Sequence, residues 1–335
     1  MTGTGPSGLR RVHFLHGVDD EAVLASLLEP SVRWTVGGSG DPVPADTEIL
    51  VGGRPTAKEL DASSALQVLL IPYAGVPAST RALLLERPQI RVHNLHHNAA
   101  AAAELALALF LAAAKRIIPA DRSLRGGDWS IRYEDARELL IAGKTAVVLG
   151  FGAVGSLVAR ACCGLGMRVT AVRRRPVRGA GIANGIDLCV ADELPRVLPT
   201  ASGLFVCVPL TPATAGMIGH DELTLLPEDA VVVNIARGPI VEEKPLYDAL
   251  AAGRIAAAGL DVWYRYPEDA ASRGSTLPSA YPFHELDNVV LSPHRGGAFR
   301  QPELERTRLA HLARSINIAA RGEAMPHRVN VDAGY

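Results

Sequence analysis

Three places in the sequence set chemistry-bearing residues where the backbone must turn sharply. Gly150-x-Gly152-x-x-Gly155 follows an apolar strand pattern over 145–150 and opens a helical one over 153–165. Arg237 stands before Gly238 in "NIARGPIV", and His294 stands between Pro293 and a pair of glycines in "LSPHRGG". A glycine turn between a strand and a helix cradles a pyrophosphate. Its first glycine permits the tight turn, the second lets backbone approach the ligand, and the third lets the helix pack on the strand. The helix start (Ala153 and Val154) then offers free N–H groups and a positive dipole end to phosphate. An arginine fork suits a carboxylate, and a histidine titrates near neutral pH and moves protons.

The residues after the next strand sharpen the cofactor reading. A site for NAD ordinarily has an acid about 20 residues beyond the glycine turn, bound to the ribose 2′-hydroxyl. Here the strand over 168–173 runs into Arg173-Arg174-Arg175-Pro176. Guanidiniums clamp a 2′-phosphate that a carboxylate repels. The reading is therefore NADP (NADPH) in preference to NAD, with Arg173 and Arg174 as contacts. The alternative is a solvated basic strand end.

Elements that could position these groups recur along the chain. Short apolar runs without alternation, "RVHFLHG" (11–17), "VRWTV" (32–36), "EILVGG" (48–53), "QVLLIP" (67–72) and "RVHNL" (91–95), alternate with helical segments over 19–28, 57–63 and 77–86. Such runs predict strands covered on both faces, hence parallel sheets built from βαβ units. A long helix is predicted over 98–118, then a polar, irregular arm. A second series follows: strands at 145–150, 168–173, 203–208, 230–235, 256–262 and 288–292, with helices at 153–165, 221–226 and 242–252. The segment 302–321 closes the chain as an amphipathic helix. The expected fold class is α/β, two Rossmann-like doubly wound parallel-sheet domains. In open sheets of this kind ligands lie at the carboxyl ends of strands, which is where Asn234–Arg237, Asp261 and His294 fall.

Bulk properties narrow the classes. The 335 residues suit two domains, and 48% hydrophobic residues can fill two cores. A formal net charge of −1, well mixed, argues against nucleic acid as partner. Cys162, Cys163, Cys189 and Cys207 sit in apolar stretches without metal-ligand spacing, so no metal site and no disulfide framework is expected. No signal peptide is read at the N-terminus, and the Ala/Leu-rich stretch 99–114 is too short and too charged to span a bilayer. A cytoplasmic location is the expectation, without membrane association.

Taken together, "PYAGV", "NAAAAAELALAL", the glycine turn, "VPLTPATAGMI", "NIARGPIV", "GLDVW" and "SPHRGG" resemble the D-isomer-specific 2-hydroxyacid dehydrogenases, in particular the glyoxylate/hydroxypyruvate reductases. The resemblance runs through most of the chain and implies the following expectations. A flavodoxin-like substrate domain takes residues 1–97 and 297–335. An NAD(P)-binding domain takes 98–296 and carries a dimerisation arm, about 119–140, that makes a homodimer. Catalysis falls in the cleft between the domains and reduces a small 2-oxo acid to the 2-hydroxy acid. His294 is the acid/base, Arg237 holds the substrate carboxylate, and backbone N–H groups around Ala74, Gly75 and Val76 hold its other oxygen. Val208, Pro209, Thr214 and Ala236 line the cofactor site with Gly296. Asp261 orients the nicotinamide carboxamide, or else makes a helix cap or strand-end hydrogen bond. His96 and His97 pack a strand end or cap a helix rather than touch substrate.

One position departs from the family pattern. The glutamate that pairs with the histidine, one residue before the proline, is Tyr266 here. A tyrosine can orient the ring but brings no charge at neutral pH, which leaves three outcomes: His294 works with a lower pKa, another carboxylate such as Glu268 replaces the glutamate, or the chemistry is weakened or altered. The alternative on that account is an oxidiser of an unusual small acid (formate- or phosphite-like); a second, from the resemblance of the C-terminal-binding corepressors to this family, is a non-catalytic dinucleotide-sensing protein.

Overall fold

The structure is a computed structural model that describes residues 10–38, 40–134, 137–174, 182–183, 185–297 and 301–335. The chain divides into two compact units, Met1–Asn98 with Phe299–Tyr335, and Ala99–Ala298.

In the first unit five strands, β1 (Arg10–Phe14), β2 (Val32–Val36), β3 (Ile49–Val51), β4 (Val68–Ile71) and β5 (Arg91–Asn94), form a sheet in the order β2-β1-β3-β4-β5. All four pairings are parallel, and the order is that of flavodoxin-like folds. Strand periodicity sorts the side chains. Ile49, Val51, Val68 and Leu70 join one core with Leu309, Leu312 and Ile316 of the helix Pro302–Ala320. Leu50, Leu69 and Ile71 join the opposite core with Leu60 and Leu84. The short helix Ala57–Leu60 is fixed by a capping box between Thr56 and Glu59.

In the second unit the strands are β6 (Thr145–Leu149), β7 (Arg168–Arg173), β8 (Ile182–Ala183), β9 (Ile186–Val190), β10 (Ala201–Val206), β11 (Val231–Asn234), β12 (Ala257–Leu260) and β13 (Val289–Leu291). Their order is β13-β12-β11-β10-β6-β7-β9-β8. Among the described residues only the two-residue β8 is antiparallel. The rest follow the doubly wound dinucleotide-binding order with one strand added beyond the sixth. The order reverses at β6, which pairs with β7 on one side and β10 on the other. Ala146 and Val148 face one core and Val147 and Leu149 the other.

The helix Ala99–Ala114 lies close against this sheet, and missing side chains explain how. A Cβ on Gly259 would stand 2.7 Å from Leu109 Cβ, and one on Gly203 would stand 2.9 Å from the Phe110 ring. The alanine run is thus a packing surface, and no helix among the described residues is long and apolar enough to cross a membrane.

Several expectations change. The long helix stops at Ala114 because Arg116 takes a left-handed backbone (φ 50°), and a second helix, Ile117–Arg125, starts there. The arm is helical rather than irregular, with a further short helix over Ile131–Glu134. Strand β9 was not anticipated: Asp187 and the half-buried Leu188 break the apolar run that marks its neighbours.

Phe110 is fully buried and its ring centre lies 5.0 Å from that of Phe205. Phe110→Ala is expected to cost the second unit about 3–5 kcal/mol, measured by urea unfolding of the full chain. A loss within about 0.5 kcal/mol, the size of an ordinary surface change, would contradict this packing.

Candidate active site

The ends of β11, β12 and β13 are tied into one construction. After β11, the buried Asn234 accepts a hydrogen bond from Ala236 N at 3.1 Å and donates one to Arg237 O at 3.0 Å. That fixes the turn that presents Arg237, whose exposed side chain donates to Ala236 O at 2.6 Å. The next residue must be glycine: a Cβ on Gly238 would lie 2.3 Å from Trp263 O. The turn after β11 therefore presses directly on the segment after β12.

Asp261, the residue after β12, is 1% exposed. Its Oδ1 accepts from Ser292 Oγ at 2.5 Å and Arg295 N at 2.6 Å, and its Oδ2 accepts from Gly296 N at 2.8 Å. Both oxygens thus bond to the loop after β13. Gly296 is confined as well, since a Cβ there would lie 2.9 Å from Asp261 Oδ2. Trp263 adds a second tie, from Nε1 to Ser292 O at 2.8 Å.

Within that strapped loop His294 takes a left-handed backbone (φ 56°), a conformation uncommon outside glycine. Its ring is exposed, and neither nitrogen makes a hydrogen bond among the described residues. The Tyr266 ring lies 5.5 Å away, tilted by 54°. Tyr266 is itself held, its hydroxyl accepting from Trp263 N at 3.1 Å. Desolvation lowers the pKa of His294, Arg237 lowers it further, and Asp261 opposes them. Burial raises the pKa of the Tyr266 phenol, so it carries no charge that could substitute for a carboxylate. Glu268 does not take that place: it is exposed and pairs with nothing among the described residues.

The glycine turn sits at the switch point of the same sheet. Gly150 has φ 102°, and a Cβ would lie 2.9 Å from Cys207 backbone. Gly150 N donates to Val172 O and Cys207 N to Leu149 O, both at 2.8 Å, so ladders on both sides anchor the turn. A Cβ on Gly155 would stand 1.9 Å from Gly150 O, whereas one on Gly152 would meet nothing within 4 Å. The helix Ala153–Gly164 begins there without a side-chain cap, leaving its first N–H groups open. Crowding at the first and third glycines, with space at the second, fits a dinucleotide pyrophosphate.

Around the turn lie Arg173, which ends β7 half-buried, and the exposed Arg174; Arg175 lies outside the described residues. Val208 and Pro209 follow β10, and Ala236 lies in the turn after β11. The Thr214 hydroxyl is used locally, donating to Pro209 O at 2.6 Å and accepting from Thr211 N at 2.8 Å.

In the first unit Ala74, Gly75 and Val76 follow β4. Asn94 at the end of β5 donates to Ala74 O at 2.5 Å, and the N–H groups of these three residues make no hydrogen bond among the described residues. Gly53 packs so tightly on Tyr73 that a Cβ would lie 1.8 Å from its hydroxyl. The bracing roles of Asn234, Trp263 and Ser292 were missed. All three stand inside the quoted motifs, and the available signal was that a buried carboxylate at a strand end needs donors.

Residues 107–296 match the family model described as D-isomer specific 2-hydroxyacid dehydrogenase, NAD binding domain. The D-3-phosphoglycerate dehydrogenase of Mycobacterium leprae is 33% identical over 318 residues, covering 90% of this chain and 55% of the relative. A glyoxylate reductase of Korarchaeum cryptofilum is 35% identical over 234 residues, covering 68% of this chain and 65% of the relative. The chain thus spans about half the length of the phosphoglycerate dehydrogenase it matches. Among solved structures, a D-isomer specific 2-hydroxyacid dehydrogenase of Xanthobacter autotrophicus in complex with NADPH and MES has a TM-score of 0.79 at 25% identity, covering 98% of this chain and all of that one.

Asp261→Ala should strand three donors and loosen the loop after β13 by roughly 1.5–3 kcal/mol, the usual worth of a hydrogen bond to a charged group. Hydrogen exchange at the Gly296 amide reads this, and protection equal to wild type would refute the strap.

Proposed function

The chain belongs to the D-isomer-specific 2-hydroxyacid dehydrogenase family, and from that premise we propose that it reduces a small 2-oxo acid to the 2-hydroxy acid, with NADPH preferred to NADH. The observation that carries this reading is that Arg237 and His294, whose nitrogens make no hydrogen bond among the described residues, stand on braced turns near enough for the guanidinium to lower the imidazole pKa, at the sheet edge that also holds the open glycine turn. The name of the Korarchaeum relative and the NADPH in the Xanthobacter structure support it.

Gly150, Gly152 and Gly155, with the N–H groups of Ala153 and Val154, hold the pyrophosphate. Arg173 and Arg174 hold the 2′-phosphate, and Val208, Pro209, Thr214 and Ala236 line the remainder. A bound reduced nicotinamide supplies the hydride that substrate C2 receives. Arg237 binds the carboxylate and polarises the carbonyl. His294, in its imidazolium form, gives its proton to the carbonyl oxygen as the hydroxyl forms. Asp261 acts by holding Ser292, Arg295 and Gly296, and so the His294 turn. Tyr266 supports the imidazole face without charge. The N–H groups of Ala74, Gly75 and Val76, without hydrogen bonds among the described residues, are assigned to the substrate carboxylate as the resemblance implies. We also assign the chain to the cytoplasm as a homodimer, because its four cysteines are free thiols and the arm exposes Leu124, Trp129 and Tyr133. Sedimentation tests the dimer, which a monomeric mass would refute.

Three outcomes test the chemistry. Arg237→Gln is expected to lower kcat/KM for 2-oxo acid reduction by about 100-fold or more. An Arg173→Ser, Arg174→Ser double variant should lose most of its preference for NADPH, and a wild-type enzyme that favours NADH would remove the cofactor assignment. The pH dependence follows from the sign of the His294 shift. Its pKa lies below the ordinary 6.5, so the proton donor is lost as pH rises through a value on the acid side of neutrality, and reduction declines there. Tyr266→Glu places a negative charge beside the ring and should move that decline upward by about one pH unit. An unmoved limb would uncouple Tyr266 from the acid/base step.

A further inference from the structure

Six basic side chains gather near the carboxyl end of β5 in the first unit, none with a part in the reaction above. His96 and His97 follow the strand, the helix Pro302–Ala320 contributes Arg308, His311 and Arg314, and the C-terminal tail contributes His327. The His96 and His327 rings meet edge to face at 4.8 Å. His327 is held there in a left-handed backbone (φ 54°). Three contacts keep the tail in place: Asn94 N to His327 O at 3.2 Å, His93 Nδ1 with Pro326 O at 2.7 Å, and Val329 N to Val92 O at 2.8 Å. The fold thus spends strained backbone to set one imidazole against another.

The cluster is short of acceptors. Glu305 lies 2.6 Å and Asp19 3.5 Å from Arg308. The other five side chains have no carboxylate partner among the described residues. His97 Nδ1 is sealed from solvent and has no hydrogen-bond partner among the described residues. Burial, with Arg308, His311 and His96, pushes the pKa of His97 down to about 4. Burial also lowers His96, with His327 adding, and lowers His327, with His311 and Arg314 adding. Such mutual repulsion is what an anion would relieve. A cation would add to it, and no group of three metal-ligating residues is found among the described residues.

We infer that His96, His97, His311 and His327, with Arg308 and Arg314, form a binding site for a phosphate-class oxyanion, either the free ion or the phosphoryl group of a small molecule. Donors arriving from a strand end, a helix and a tail suit a tetrahedral ion better than a planar carboxylate, which one arginine fork already satisfies. Binding draws protons onto the imidazoles, so it strengthens as pH falls. Glu305 and Asp19, facing Arg308, limit its share of the charge.

The test uses the full chain without cofactor, so it is independent of turnover. Histidine ring resonances are titrated with inorganic phosphate at pH 6.5 and, in parallel, with sodium chloride at matched ionic strength. Phosphate should give saturable shifts and raise the pKa of several histidines. Arg314→Gln, at an exposed position, should weaken binding about tenfold. His327→Gly removes the ring while keeping the left-handed backbone unstrained, and should weaken binding similarly. A phosphate response no larger than that of chloride, or one undiminished in both variants, would overturn the site. Binding of glycerol 3-phosphate, which has no carboxylate for Arg237, tighter than phosphate identifies a phosphoryl group as the occupant, and equal binding identifies the free ion.

Discussion

A buried carboxylate with three donors, and no ion-pair partner among the described residues, organises the carboxyl-end edge of the second unit's sheet. Asp261 bonds to Ser292 Oγ, Arg295 N and Gly296 N, so the end of β12 holds the loop after β13 in a shape that loop would not adopt alone. A left-handed histidine is unfavourable in isolation and persists where surrounding structure over-determines it. Here the surroundings are the Asp261 strap, the Trp263 bond to Ser292 O and the Gly238 contact with Trp263 O. His294 consequently projects from a braced turn with its nitrogens uncommitted among the described residues, and Arg237 projects from another turn braced against the same segment.

The sheet supplies the rest of the placement. Parallel strands deliver their carboxyl ends to one edge, and the reversal of order at β6 leaves room there for the glycine turn. Hydrogen bonds continue past that turn on both sides, so its position is set by β7 and β10 as well as by its own strand. Close seating of the helix Ala99–Ala114 on Gly203 and Gly259 adds stiffness beneath β10 and β12.

What could be read from the sequence follows a physical division. The glycine turn was legible because each of its glycines answers a local demand: a positive φ, an open approach or a close contact. Strand and helix order was legible because doubly covered strands are runs of apolar residues. Arg237, Asp261 and His294 could be placed at strand ends, since the strands that carry them were recognisable. Asp261 could be read two ways, because a carboxylate's partners are set by tertiary contacts, and both of its oxygens proved to be engaged. The arm was misread as irregular because its helices leave apolar residues such as Ile117, Leu124 and Tyr133 exposed, which blurs the pattern of a buried face. The grouping of His96, His97, His311 and His327 was invisible, since it joins segments more than two hundred residues apart.

The Asp261 strap also bears on which substitutions the loop can absorb. Of its three donors, two are main-chain N–H groups, at Arg295 and Gly296, and one is the Ser292 hydroxyl. Position 295 serves the strap without its side chain, so mutational drift there is free of this constraint. Position 296 has no room for any larger residue, and position 292 needs a hydroxyl. Tolerance and intolerance to drift therefore alternate within five residues, set by whether main chain or side chain carries each bond.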